Sequence, residues 1–90
     1  MPVKLNLHPW LSEAGGGHNA VTVVGGTVGE CLDELNIHFP GIKEQILNKQ
    51  GDVKSYVLIL LSGQNTYPDE LSTPVKDGDE ISIVFAVDGG

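Results

Sequence analysis

Asp77-Gly78-Asp79-Glu80-Ile81-Ser82-Ile83-Val84-Phe85-Ala86-Val87-Asp88-Gly89-Gly90 reads as a tight turn, a strand and a pair of glycines. Asp-Gly is a strong turn signal, and Ile81, Ile83, Phe85 and Val87 alternate with Ser82, Val84 and Ala86 at the period of a strand. Glycine has no Cβ, so Gly89-Gly90 can lie extended in a slot too narrow for any other residue. The expectation is a folded body ending in a flexible tail, residues 88–90, that delivers its carboxylate into another protein's active site.

Working back from that stretch, Val3, Leu5 and Leu7 alternate with Lys4, Asn6 and His8, the pattern of a strand with one buried face. Pro9 should end it. Leu11 to Asn19 contains Gly15-Gly16-Gly17 and reads as a flexible turn, followed by a second strand at Ala20 to Val24. The two make an antiparallel hairpin. After Gly25-Gly26, Thr27 and Glu30 have the spacing of a capping box, which predicts a helix from about Val28. Val28, Cys31, Leu32 and Leu35 fall on one stripe, and Pro40-Gly41 ends the helix near Phe39.

Further on, Ile42 to Asn48 reads as a short second helical turn and Ser55 to Leu61 as a buried strand. Ser62 to Asp69 reads as loop and Glu70-Leu71 as a short edge strand. One main helix and four or five strands pack most simply as a helix on one face of a mixed sheet, the outline of the α+β β-grasp fold. Ninety residues correspond to a single domain spanning 1–90, with room for one small core.

Charge and cysteine usage narrow the partners. Twelve acidic residues against five basic ones give a net charge of −7, which repels phosphate backbones and anionic lipid and either suits a basic docking surface on another protein or simply keeps a small protein soluble. Nucleic acid and membrane are therefore not expected. The single cysteine, Cys31, makes no internal disulfide, and the N-terminus has no charged-then-apolar leader, so the expected location is the cytoplasm. The longest apolar run, Val57 to Leu61, is far below the roughly 20 residues of a membrane span.

No catalytic constellation emerges. His8, His18 and His38 lack metal-ligand spacing and read as surface or boundary residues. Cys31 lies on the apolar stripe, where a thiol acts as a small hydrophobe. One cysteine cannot hold an iron–sulfur cluster, which needs about four. Gly15-Gly16-Gly17 lacks the Lys-Ser/Thr of a phosphate loop, and Asp77, Asp79 and Glu80 lack the calcium-loop pattern. No metal and no cofactor bound by this chain are expected. A carboxylate at Gly90 could still become reactive if another enzyme adenylated it with ATP.

Phe39-Pro40-Gly41, Pro74-Val75-Lys76-Asp77-Gly78-Asp79-Glu80-Ile81 and the close Val87-Asp88-Gly89-Gly90 resemble the ubiquitin-like sulfur carriers, above all the small subunit of molybdopterin synthase and its relatives in thiamine and cysteine synthesis. The resemblance implies a non-catalytic carrier. Gly90 would be adenylated by a ubiquitin-activating-type enzyme and converted to a thiocarboxylate, and the tail would then enter a sulfur-accepting enzyme such as the synthase large subunit. Gly89, Asp88, Val87, Ala86 and Val84 would face the partner, Val84 holding the position of the family's partner-facing apolar residue. A second buried face is the alternative for Val84. Phe85-Ala86, Asp88 and Ser62-Gly63 depart from the synthase pattern, which bears on the molybdopterin pathway more than on sulfur carriage. A protein modifier joined to lysines through Gly90 would use the same activated end. A plain β-grasp interaction module is the third reading.

Overall fold

The computed structural model describes residues 2–13 and 16–85. A strand β1 (Pro2–Leu7) is followed by a one-turn helix α1 (Pro9–Ser12) and by β2 (Ala20–Val24), which pairs antiparallel with β1 as expected. Helix α2 (Val28–His38) crosses the sheet, and α3 (Ile42–Ile46) turns the chain toward β3 (Val57–Leu61). A short β4 (Gln64–Asn65), a 3-10 turn (Glu70–Ser72) and β5 (Glu80–Phe85) complete the order.

The five strands lie in the order β2-β1-β5-β3-β4. The β1 and β5 pair is parallel, with Leu5 opposite Ile81 and Leu7 opposite Ile83, while β3 runs antiparallel to β5 with Ile59 opposite Ile83. First and last strands are thus central neighbours, and everything between them is the crossover. This is the β-grasp arrangement, a mixed sheet gripping one main helix.

The start of α2 follows from its cap. The Thr27 hydroxyl accepts the Glu30 N–H at 3.1 Å, and the Glu30 carboxylate accepts the Gly26 N–H at 2.7 Å. The return bond therefore reaches one residue further back than in the standard box, and still satisfies a donor near the helix start. Val28, Cys31, Leu32 and Leu35 are fully buried against Val3, Leu5, Ile59, Ile81 and Ile83. No polar or charged side chain is buried among the described residues.

The expected buried strand Ser55 to Leu61 is a strand over Val57–Leu61, with Val57 and Ile59 buried, and Leu58 and Leu60 half-buried because alternate side chains face opposite sides of the sheet; Leu61 at its end is half-buried too. Three further expectations need correction. Leu11 to Asn19 is not all turn, because Leu11 belongs to α1 and is fully buried. That helix starts with Pro9 behind a His8 cap, and His8 is not among the usual capping residues. Glu70-Leu71 is a 3-10 turn and not an edge strand; it packs on α2, where a Cβ at Gly29 would stand 2.9 Å from the Leu71 carbonyl. Finally, Ser62 to Asp69 is not uniform loop. Ser62 (φ 50°) and Gly63 (φ 86°) form a two-residue hairpin into β4, the positive angles matching the strand twist.

Candidate functional site

The site is the end of β5 from which the C-terminal residues depart. Ala86, Val87, Asp88, Gly89 and Gly90 lie outside the described residues, so among the expected partner-facing positions Val84 is the one with a place. Ile81 and Ile83 point into the core, and alternation puts Val84 on the opposite face, which α2 leaves uncovered. Val84 stands across from Leu58, and Leu60 stands across from Ser82. All three apolar side chains are half-buried, less enclosed than Ile81 and Ile83 on the helix side.

At the end of β5, Phe85 sits among three rings drawn from distant parts of the chain. Trp10 stacks on it at 3.7 Å between ring centres, with Tyr56 and His8 each at 5.3 Å. His8 holds Trp10 in place in two ways. Its Nδ1 accepts the backbone N–H of Trp10 at 3.1 Å, and its own backbone N–H donates to the Ile83 carbonyl, tying α1 to β5. The Lys54 ammonium lies 5.9 Å from the centre of the Tyr56 ring, close enough for a cation–π attraction. Such clustered rings contribute beyond the area they bury.

The other end of β5 is acidic. The Asp79 carboxylate accepts the Lys76 N–H at 2.7 Å and closes the turn, while Glu80 accepts from the Asn6 amide on the open face. These carboxylates have structural work at the turn. About 17 Å of strand separates them from Phe85, so the departing chain leaves from the aromatic end.

The remaining candidates are dispersed. His18 lies near Phe39, His38 pairs with Glu34 at 2.8 Å, and His8 belongs to the ring cluster. Among the described residues no three His, Cys, Asp or Glu side chains gather as metal ligands. Cys31 is fully buried. Burial first, and the Glu30 carboxylate second, push its thiol above the ordinary 9.0, so it is a poor nucleophile in the folded protein. Trp10, Tyr56, Leu58 and Leu60, which the structure places beside Phe85 and Val84, were not among the candidates the sequence offered. Their signal was aromatic and apolar identity alone, shared by any core residue.

A β-grasp body with an open apolar face at the root of a diglycine segment defines the class of ubiquitin-like carriers. A match to the ThiS family covers residues 11–90, and the chain belongs to that family of ubiquitin-like sulfur carriers. It is 28% identical to the sulfur carrier protein CysO of Mycobacterium tuberculosis over the full length of both chains. The crystal structure of that protein superposes with a TM-score of 0.89 at 26% identity, covering 94% of this chain and 99% of the other. A chain in the BexX/CysO complex of Amycolatopsis orientalis gives a TM-score of 0.88 at 29% identity, covering 98% and 99%. Small archaeal modifier protein 3 of Haloferax volcanii is 32% identical over 71% of this chain and 70% of its own length. No helix among the described residues is long and apolar enough to cross a membrane.

Proposed function

We propose that this chain carries sulfur as a thiocarboxylate on Gly90. A partner enzyme of the ubiquitin-activating type uses ATP to convert the Gly90 carboxylate to an acyl-adenylate, releasing pyrophosphate. A sulfur nucleophile then attacks the acyl carbon and AMP leaves, carrying the displaced oxygen away. The chain binds no cofactor itself and works in the cytoplasm. Gly89 and Gly90 enter the partner's channel, with Val87 and Ala86 behind them and Asp88 meeting basic groups there.

The observation that carries the reading is the pairing of a ring-clamped Phe85 with the open-face patch of Val84, Leu58 and Leu60. Five residues beyond Phe85 reach at most about 18 Å, so a partner must seat its active site close to this patch. The family match running to residue 90 supports the same assignment. Full-length likeness to the CysO carriers favours a cysteine-type pathway over delivery to a molybdopterin synthase large subunit.

Intact mass after incubation with the activating enzyme, ATP and sulfide tests it. The expected product shows sulfur in place of one oxygen, and loses it when Gly89-Gly90 is deleted. A second reading, conjugation to lysines, is favoured by the likeness to an archaeal modifier protein. Higher-mass conjugates that survive thiol reductant would support it.

A further inference from the structure

The geometry points to a second docking surface, away from the carboxyl-terminal site and independent of sulfur chemistry: the free edge of β2 accepts an extended basic segment of another protein as a sixth strand. β2 is an edge of the sheet, and the opposite edge, β4, is only two residues long. The Leu7 N–H bonds the Asn19 carbonyl at 2.8 Å, which sets the alternation of the β1 and β2 ladder. It turns the main-chain groups of Ala20, Thr22 and Val24 outward.

Edges of this kind are ordinarily blunted by charge, proline or a bulge. Ala20-Val21-Thr22-Val23-Val24 has none of these charges or prolines and pairs with β1 in unbroken register. Beside the edge lies a groove of about 330 Å³ between β2 and α2, lined by His18, Val21, Val23, Leu35, His38 and Phe39. An added strand would place alternate side chains in this groove and the others beside Val24, which is 52% exposed on the open face.

Charge selects the occupant. Glu34 lies one turn before His38 on α2 and pairs with it, so a carboxylate stands next to the groove's lining, and no lysine is among the described residues that line it. Lys4 stands across from Thr22, but its side chain belongs to the opposite sheet face. A second copy of this chain would bring −7 against −7. A segment with β-branched residues at alternate positions, bracketed by lysine or arginine, fits both the groove and its rim.

The probe is the blocked peptide Lys-Val-Thr-Val-Thr-Val-Lys, titrated into isotope-labelled protein, with a counterpart carrying glutamate in place of lysine. Expected are saturable amide shifts and slowed exchange at Ala20, Thr22 and Val24, with the glutamate peptide about tenfold weaker or worse. Thr22→Pro removes an outward N–H without touching the β1 ladder and should abolish binding. Glu34→Lys, at a partly exposed position on α2 beside His38, should reverse the preference between the two peptides even if the proline variant folds poorly. Equal binding of both peptides, shifts centred on Leu58 and Val84, no saturable shift at millimolar peptide, or self-association through β2 in sedimentation would each overturn the assignment.

Discussion

The two faces of one sheet carry nearly the same kinds of side chain and behave differently. On the helix side, Leu5, Ile59, Ile81 and Ile83 are fully buried under Leu32 and Leu35. On the other side, Leu58, Leu60 and Val84 are only half-buried. Apolar area removed from water stabilises a fold, whereas apolar area left at its surface is available to a partner. Chemical type is therefore a poor guide to role, and cover decides it.

That contrast can be broken by substitution. The largest effect is expected from Leu32→Ala, which should lower stability by roughly 2 to 5 kcal/mol as a cavity opens under the sheet. Denaturant midpoints would measure it, and a negligible change would contradict the buried face. Trp10→Ala removes the stack on Phe85 and should cost about 1 to 2 kcal/mol. It should also slow thiocarboxylate formation, separating it from a purely structural loss when compared with a core variant of equal stability. Thr27→Ala should cost about 1 kcal/mol, since the Glu30 N–H loses its acceptor while the faces keep their roles.

Smallest in stability is Val84→Lys, expected within about 0.5 kcal/mol in the melt because its face is open. Its readout is the partner: affinity for the activating enzyme should fall while the fold is unchanged. A large stability loss would mean that the open face is covered after all. The buried face also makes a pH prediction. Cys31 holds its proton more tightly folded than unfolded, so its contribution is fully present below the unfolded value. It is lost as pH rises through the higher folded value. Stability should fall above pH 9, and Cys31→Ala should flatten that fall.

Much of the fold was readable because its signals are local. The hairpin of β1 and β2 followed from alternation, and α2 from the Thr27 and Glu30 spacing with its apolar stripe. Where local signals were absent the reading failed. Val57 to Leu61 is apolar throughout, so nothing in it shows that Leu58 and Leu60 face outward while Val57 and Ile59 face in. His8 is an uncommon cap, which hid α1 inside an apparent turn. Glu70-Leu71 carries no local signal for its 3-10 turn, which packs on the bare backbone at Gly29.

Residue order was enough to read β1, β2, β3, β5, the main helix, the acidic balance and the diglycine close, because each depends on neighbours a few positions apart. The gathering of Trp10, Tyr56 and Phe85 at one end of β5, and the exposure of Val84 beside Leu58, came only from folding. Those contacts join segments that meet through the parallel pairing of the first and last strands, and no short-range pattern encodes which residues a long crossover brings together.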